Sequence, residues 1–264
     1  MKKIFIDDFF SASLRRKIKM EVVLPPLYEE YKELHFPVIY LNDGQTLHQV
    51  RMEENLTACY EQKIIPPVII VAIHAGNNRM QEYGVASSPD YRKRGNKADK
   101  YSRFMTSELR KLINSNFRTL TDPVYNSIAG YSLGALSAFD IAWNHPHLFG
   151  SAGMFSGSFW WRSRGYGYDF DETRHRIMHQ VVKNAGNYHP QLRFWFQCGT
   201  LDEMADRNQN DIIDAIDDTL DLISELKKTG YTDREIHYVE MINGRHHEST
   251  WADAMPLFLK WLFN

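Results

Sequence analysis

Three short stretches of this chain carry side chains that could act together on a carbonyl carbon. Ser132 stands in Gly130-Tyr131-Ser132-Leu133-Gly134, a G-x-S-x-G pattern. Asp202 and Glu203 lie in "CGTLDEMAD", and His246 and His247 in "INGRHHESTW". A serine hydroxyl is a weak nucleophile until a neighbouring base takes its proton, and an imidazole base needs a carboxylate to fix its tautomer. The order Ser, then acid, then His is the order of a nucleophile elbow and its partners. Residue types alone leave Asp202 or Glu203 as the acid and His246 or His247 as the base. The opposing readings are a plain turn serine and, for His246-His247-Glu248, a metal site.

Such groups must be held at strand ends, and the surrounding sequence supplies strands. "KIKMEVVLPP" (17–26), "FPVIYLNDG" (36–44), "PPVIIVAIHAGN" (66–77), "VYNSIAG" (124–130), "FGSAGMFSGS" (149–158), "LRFWFQCG" (192–199) and "REIHYVEMING" (234–244) read as strands. Residues 66–77 are nearly continuously apolar, which predicts burial on both faces of a parallel sheet. Helical spacing appears over 99–117, 135–146, 211–230 and 249–263. Strands alternate with helices, so the expectation is an α/β fold: one domain over 1–264, with a mostly parallel sheet covered on both faces. Ser132 then sits between a strand and a helix. Gly130 and Gly134 allow the two to approach closely. The helix N-terminus favours negative charge, and the Leu133 N–H is an oxyanion donor.

Thirty-one basic and thirty-three acidic residues give a net charge of -2. That balance offers no basic excess for nucleic acid and no polybasic anchor for a membrane. No run of eighteen apolar residues occurs. Asp7 and Asp8 interrupt the apolar stretch behind the first two lysines, which argues against a secretion signal and for a cytoplasmic protein. Cys59 and Cys198 are too few for a disulfide framework and are expected to be free thiols.

With these residues in place the chain resembles the esterase family of the α/β-hydrolases, which includes enterochelin esterases, feruloyl and acetylxylan esterases, S-formylglutathione hydrolases and mycolyltransferases. The resemblance runs from about residue 10 to the C-terminus. It is carried by "VVLPPLY", "VIYLNDGQ", "IIVAIHAGNNRMQEY", "IAGYSLGALSAFDIAWNHPHLFGSAGMFSGSFWW", "CGTLDE" and "GRHHESTW". It implies an α/β-hydrolase fold and a serine carboxylic-ester hydrolase acting through an acyl-enzyme. Ser132 is then the nucleophile, Asp202 the acid and His246 the base, the last because it precedes Trp251 by five residues. "DGQ" implies the second oxyanion donor, the N–H of Gly44 or Gln45. The substrate class implied is a siderophore-type or other polar small-molecule ester. Acyl transfer with the same triad, or a non-catalytic binding protein on the same scaffold, are the alternatives. The sequence leaves the oligomeric state open.

Tyr131, Trp160, Trp161 and Trp251 are candidates for shaping the pocket, with core packing as the opposing reading. Arg79, with Glu82 and Tyr83, could bind a polar substrate or form a structural ion pair. The chemistry requires no cofactor. One stretch, "DRNQNDIIDAID" (206–217), sets Asp206, Asn208, Asn210, Asp214 and Asp217 at positions 1, 3, 5, 9 and 12 of a calcium loop. Asp211 replaces the glycine of position 6, and position 12 is Asp instead of Glu. The opposing reading is an acidic helix N-terminus.

Overall fold

Alternating apolar residues sort the strands onto two cores. In Val38–Asn42, Val38 and Tyr40 face one core while Ile39 and Leu41 face the other. In Ile69–Ile73 the same alternation separates Ile69, Val71 and Ile73 from Ile70 and Ala72. A side-chain period of two, apolar on both faces, is what a sheet covered on both sides requires. The computed structural model describes residues 1–264.

The strands are β1 (Lys2–Ser11), β2 (Arg16–Leu24), β3 (Val38–Asn42), β4 (Ile69–Ile73), β5 (Asn126–Tyr131), β6 (Ser151–Phe155), β7 (Arg193–Leu201) and β8 (Ile236–Arg245). They form one sheet in the order β1-β2-β4-β3-β5-β6-β7-β8. β1, β2 and β4 pair antiparallel, and every pairing from β4 through β8 is parallel. This is an α/β-hydrolase sheet. The helices are α1 (Met52–Glu61), α2 (Arg79–Glu82), α3 (Ala98–Arg103), α4 (Arg110–Asn116), α5 (Leu133–Asn144), α6 (Glu172–His175), α7 (Ile177–Ala185), α8 (Asp214–Lys228) and α9 (Glu248–Leu262). A π-helical segment, Phe104–Leu109, joins α3 to α4, so the single helix expected over 99–117 is one continuous rod with a wider turn at its middle. α1 and α9 cover one face, while α3 to α5, α7 and α8 cover the other.

β1 is the one strand that the sequence reading did not expect. Its pairing with β2 shifts register between Ile6 and Phe9, so Asp7 and Asp8 occupy a bulge. The acidic pair interrupts an edge strand, where a bulge is tolerated. Both cysteines are buried free thiols. No helix is long and apolar enough to cross a membrane.

Candidate active site

Ser132 takes φ 55° and ψ -120°, a strained conformation for a residue with a side chain, between β5 and α5. The backbone bonds around it leave it little choice. Its N–H donates to Phe155 O at 2.9 Å, and its carbonyl accepts from Ser158 and Ala135 at 3.1 Å each. The turn closes because Gly130 has no side chain: a Cβ there would lie 2.5 Å from Gly134 O. Leu133 is the first residue of α5, so its N–H has no intrahelical acceptor. Ser132 Oγ lies 3.4 Å from Ser158 Oγ, which follows β6 on the same side.

The candidate acid and base, Asp202 and His246, stand just after β7 and β8. The β7–β8 register shifts between Gly199 and Leu201, and this irregularity turns the chain toward Asp202. Asp202 Oδ2 accepts the Gly199 N–H at 3.0 Å, while Oδ1 is buried without a closely met partner. Burial pushes the Asp202 carboxyl up; Gly199 N–H, the Ser156 hydroxyl and the His246 charge pull it down. The His246 ring borders a depression of about 570 Å³ with chiefly polar walls, among them Asn243, Arg245, Thr250 and Asp253. His246 is an exposed residue, with the Trp251 ring against it edge-on at 5.4 Å. Loss of water to the neighbouring protein lowers its pKa, the Asp202 carboxylate raises it and Arg79 lowers it again. No hydrogen bond joins His246 to Ser132 or Asp202 here; the three are an unclosed set whose acid and base feel each other electrostatically.

The neighbours of both residues are otherwise engaged. Glu203 accepts the Ala215 N–H at the start of α8, and its charged neighbours are Asp214, Asp218 and Arg207. His247 caps α9, where Nδ1 accepts from Ser249 N–H at 3.1 Å.

The expected oxyanion donors Gly44 and Gln45 lie in the turn after β3. Asp43 is buried at φ 60°, and a 3-10 turn, Gly44–Thr46, follows it. A Cβ on Gly44 would collide with the Ala72 and Ile73 backbone, with Ala72 O 2.6 Å away, so this turn is pressed onto β4. The Gln45 side chain is fixed at both ends, donating to Asp43 Oδ1 at 3.2 Å and accepting Ala75 N–H at 2.9 Å. Its main chain is therefore held in place beside the elbow.

Several expectations need correction. Trp161 is fully buried, packed against Gly84 and Gly95, and Tyr131 is 1% exposed in the core, so neither lines a pocket. Trp251 is also largely buried and stacks on Tyr131 with ring centroids 4.9 Å apart. Trp160 is half-buried and packs under the Arg94 guanidinium. Arg79 is committed to Asp43 by two hydrogen bonds of 2.7 Å, which makes it structural first. Glu82 pairs with Arg16, and the Tyr83 hydroxyl oxygen accepts the Asp43 backbone N–H at 3.2 Å.

The 206–217 loop does not fit a calcium ion. Asn208 and Asn210 turn their amide nitrogens, not their oxygens, to Asp217 Oδ2. Asp206 is spent on the N–H groups of Asn210 and Asp211. Asp214 accepts from Arg207, whose guanidinium also meets Asp218 and Glu172. A guanidinium thus supplies the positive charge, and no group of three His, Cys, Asp or Glu side chains in the protein is placed to hold a metal. Asp211 does adopt the left-handed conformation (φ 68°) that the missing glycine would have.

Sequence reasoning missed Asp43, Ser156 and Ser158 as parts of the site. The available signal was the Ser156-Gly157-Ser158 cluster directly after β6, on the same side of the sheet as the serine elbow.

A family model described as "Putative esterase" matches residues 11–262. The "Uncharacterized protein YbbA" of Bacillus subtilis (strain 168) is 22% identical over 249 residues, covering 93% of this chain and 92% of that protein. Among solved structures, the enterobactin esterase of Shigella flexneri in the presence of enterobactin superposes with a TM-score of 0.77 at 18% identity, over 99% of this chain and 58% of that one. This chain therefore spans little more than half of that esterase. An IroE-like serine hydrolase from Shewanella oneidensis gives 0.72 at 20% identity, over 99% and 79%. A ferulic acid esterase gives 0.73 at 17% identity, over 99% and 97%.

Proposed function

The chain belongs to the Putative esterase family of carboxylic-ester hydrolases, and from that premise we propose that it cleaves a polar small-molecule ester through Ser132, His246 and Asp202. One observation carries the reading: the left-handed Ser132, whose neighbour Leu133 opens a helix, lies on the side of the sheet where His246 and Asp202 sense each other's charge.

In this mechanism neutral His246 takes the Ser132 proton as Oγ attacks the ester carbonyl. Asp202 stays ionised, fixes the His246 tautomer and stabilises the imidazolium. The oxyanion forms against the Leu133 N–H and the N–H of Gly44 or Gln45, each donor lowering the barrier by about 3–4 kcal/mol at most. The alcohol leaves with the proton from His246. Water, activated by the same base, then releases the acid. Closure of the hydrogen bonds from His246 to Ser132 and Asp202 accompanies substrate binding, since apo geometry is commonly loose. The likeness to an enterobactin esterase makes siderophore-type esters the first class to assay.

A fluorophosphonate probe and a chromogenic acetate ester test the reading. Wild-type protein should be labelled once, at Ser132, and should turn over the ester. Ser132→Ala should lose labelling and about 10⁴-fold or more of kcat. Unchanged turnover in Ser132→Ala would sink it. A panel of siderophore, feruloyl and acetyl-sugar esters then ranks substrates by kcat/KM.

A further inference from the structure

Ser156 follows β6 and is 3% exposed, with φ 47°. Its N–H donates to Gln197 O of β7 at 2.8 Å, so its backbone is fixed between two strands. Its Oγ accepts the Trp251 indole N–H at 3.0 Å. A hydroxyl has one proton. With an indole donating to the oxygen, that proton is left to turn toward the neighbouring Asp202 carboxylate, whose buried Oδ1 meets no other close donor. Indole nitrogen is a donor only, so a relay through these groups can run in one direction alone: Trp251 to Ser156 to Asp202. The same tryptophan stacks on Tyr131, next to Ser132, and meets the His246 ring edge-on at 5.4 Å. One side chain therefore spaces the nucleophile's neighbour, the base and the donor to the acid.

We propose that Ser156 is a positioning residue for Asp202: its hydroxyl, oriented by the Trp251 indole, holds the carboxylate aimed at His246. This rests on the triad reading above. Removing the hydroxyl leaves the buried carboxylate with the Gly199 N–H as its remaining close donor. The acid then turns more freely and takes a proton more readily, and a protonated acid cannot stabilise the imidazolium. The other charged and titratable groups around the pair are Arg79 and Glu248 near His246 and the buried Cys198 thiol behind Asp202. These groups are untouched by a change at Ser156.

The test is steady-state turnover of a chromogenic acetate ester across pH. Ser156→Gly suits the left-handed backbone and deletes only the hydroxymethyl group. Its kcat should fall about ten- to a hundredfold, with KM held within about twofold. The acid limb of its kcat/KM profile should move to higher pH. Ser156→Ala combined with Trp251→Phe removes the orphaned indole N–H as well, so its melting temperature should exceed that of Ser156→Ala while kcat stays low. Ser156→Cys, which fills the same space with a weaker donor, should fall between wild type and Ser156→Gly, and it stands in if the smaller variants do not fold.

A kcat within about twofold of wild type and an unmoved acid limb in Ser156→Gly, or in Ser156→Cys standing in for it, would overturn the proposal. So would recovery of kcat in the double variant, which would mean packing alone. Ser132→Ala separates the two readings. If it is inactive while Ser156→Gly behaves as wild type, only the Ser156 role falls. If Ser132→Ala remains active, the triad reading falls and this one with it.

Discussion

Arg79 grips Asp43 through two hydrogen bonds of 2.7 Å, and Asp43 is the left-handed residue that turns the chain into Gly44 and Gln45. The pair is confined from the other side too: a Cβ on Gly134, inside the serine motif, would come within 2.6 Å of Asp43 Oδ2. The Gly44–Gln45 turn and the Ser132 turn are thus packed against the same carboxylate. Lysine can keep the charge but not the two-pronged geometry. Arg79→Lys should lower kcat on a simple ester by about tenfold with little change in KM, because a displaced oxyanion donor acts in the transition state. Steady-state kinetics on the purified variant check this; an unaltered kcat would mean that the turn holds itself.

The environment of His246 fixes a pH dependence. Its pKa lies below the ordinary 6.5, first because of the protein packed around it, with Arg79 adding to the effect and Asp202 opposing it. The proposed mechanism needs the neutral imidazole, so it makes activity full above that pKa and lost as pH falls through it. The acid limb of kcat/KM should therefore lie below pH 6.5. Arg79→Leu removes a positive charge and leaves Asp43 unneutralised. Both changes favour the imidazolium, so the limb should move up, whereas Arg79→Lys should leave it in place. A limb that ignores the charge at position 79 would contradict this account.

The parts legible in the sequence were those written in long or repeated patterns. Residues 66–77 are apolar on both faces, and β4 is buried along its whole length. The Gly130 and Gly134 spacing could be read as a close strand–helix approach because a glycine records a steric demand directly. Short amphipathic pieces were not legible. α1 depends on Met52, Leu56 and Cys59 alone, and α7 spans nine residues ended by the left-handed Gly186. β1 was hidden by Asp7 and Asp8, whose meaning depends on an edge bulge that only pairing reveals. Residue type does not separate His246 from His247, and only the family spacing to Trp251 favours His246. Backbone direction decides it, and that comes from the cap His247 makes on α9. The calcium-loop spacing was equally blind to Arg207, whose guanidinium is satisfied by the acids of that region.

The unread helix α1 also resolves a conflict inside α9. Pro256 lies within that helix and has no N–H to give the carbonyl four residues earlier, Ala252 O. Asn55 of α1 supplies the missing donor: its Nδ2 meets Ala252 O at 2.9 Å and Val50 O at 3.2 Å. α9 carries Trp251 and begins at the His247 cap, so this bond helps fix the helix that backs His246. Asn55→Ala should destabilise the protein by about 1–2 kcal/mol in urea unfolding, the cost of an unpaired, partly buried carbonyl. Pro256→Ala restores an intrahelical N–H to Ala252 O, so the Asn55 change should cost clearly less in that background. A double-mutant cycle measures the difference. Costs that add to within about 0.3–0.5 kcal/mol would show the two residues to be independent, and the carbonyl would need another partner.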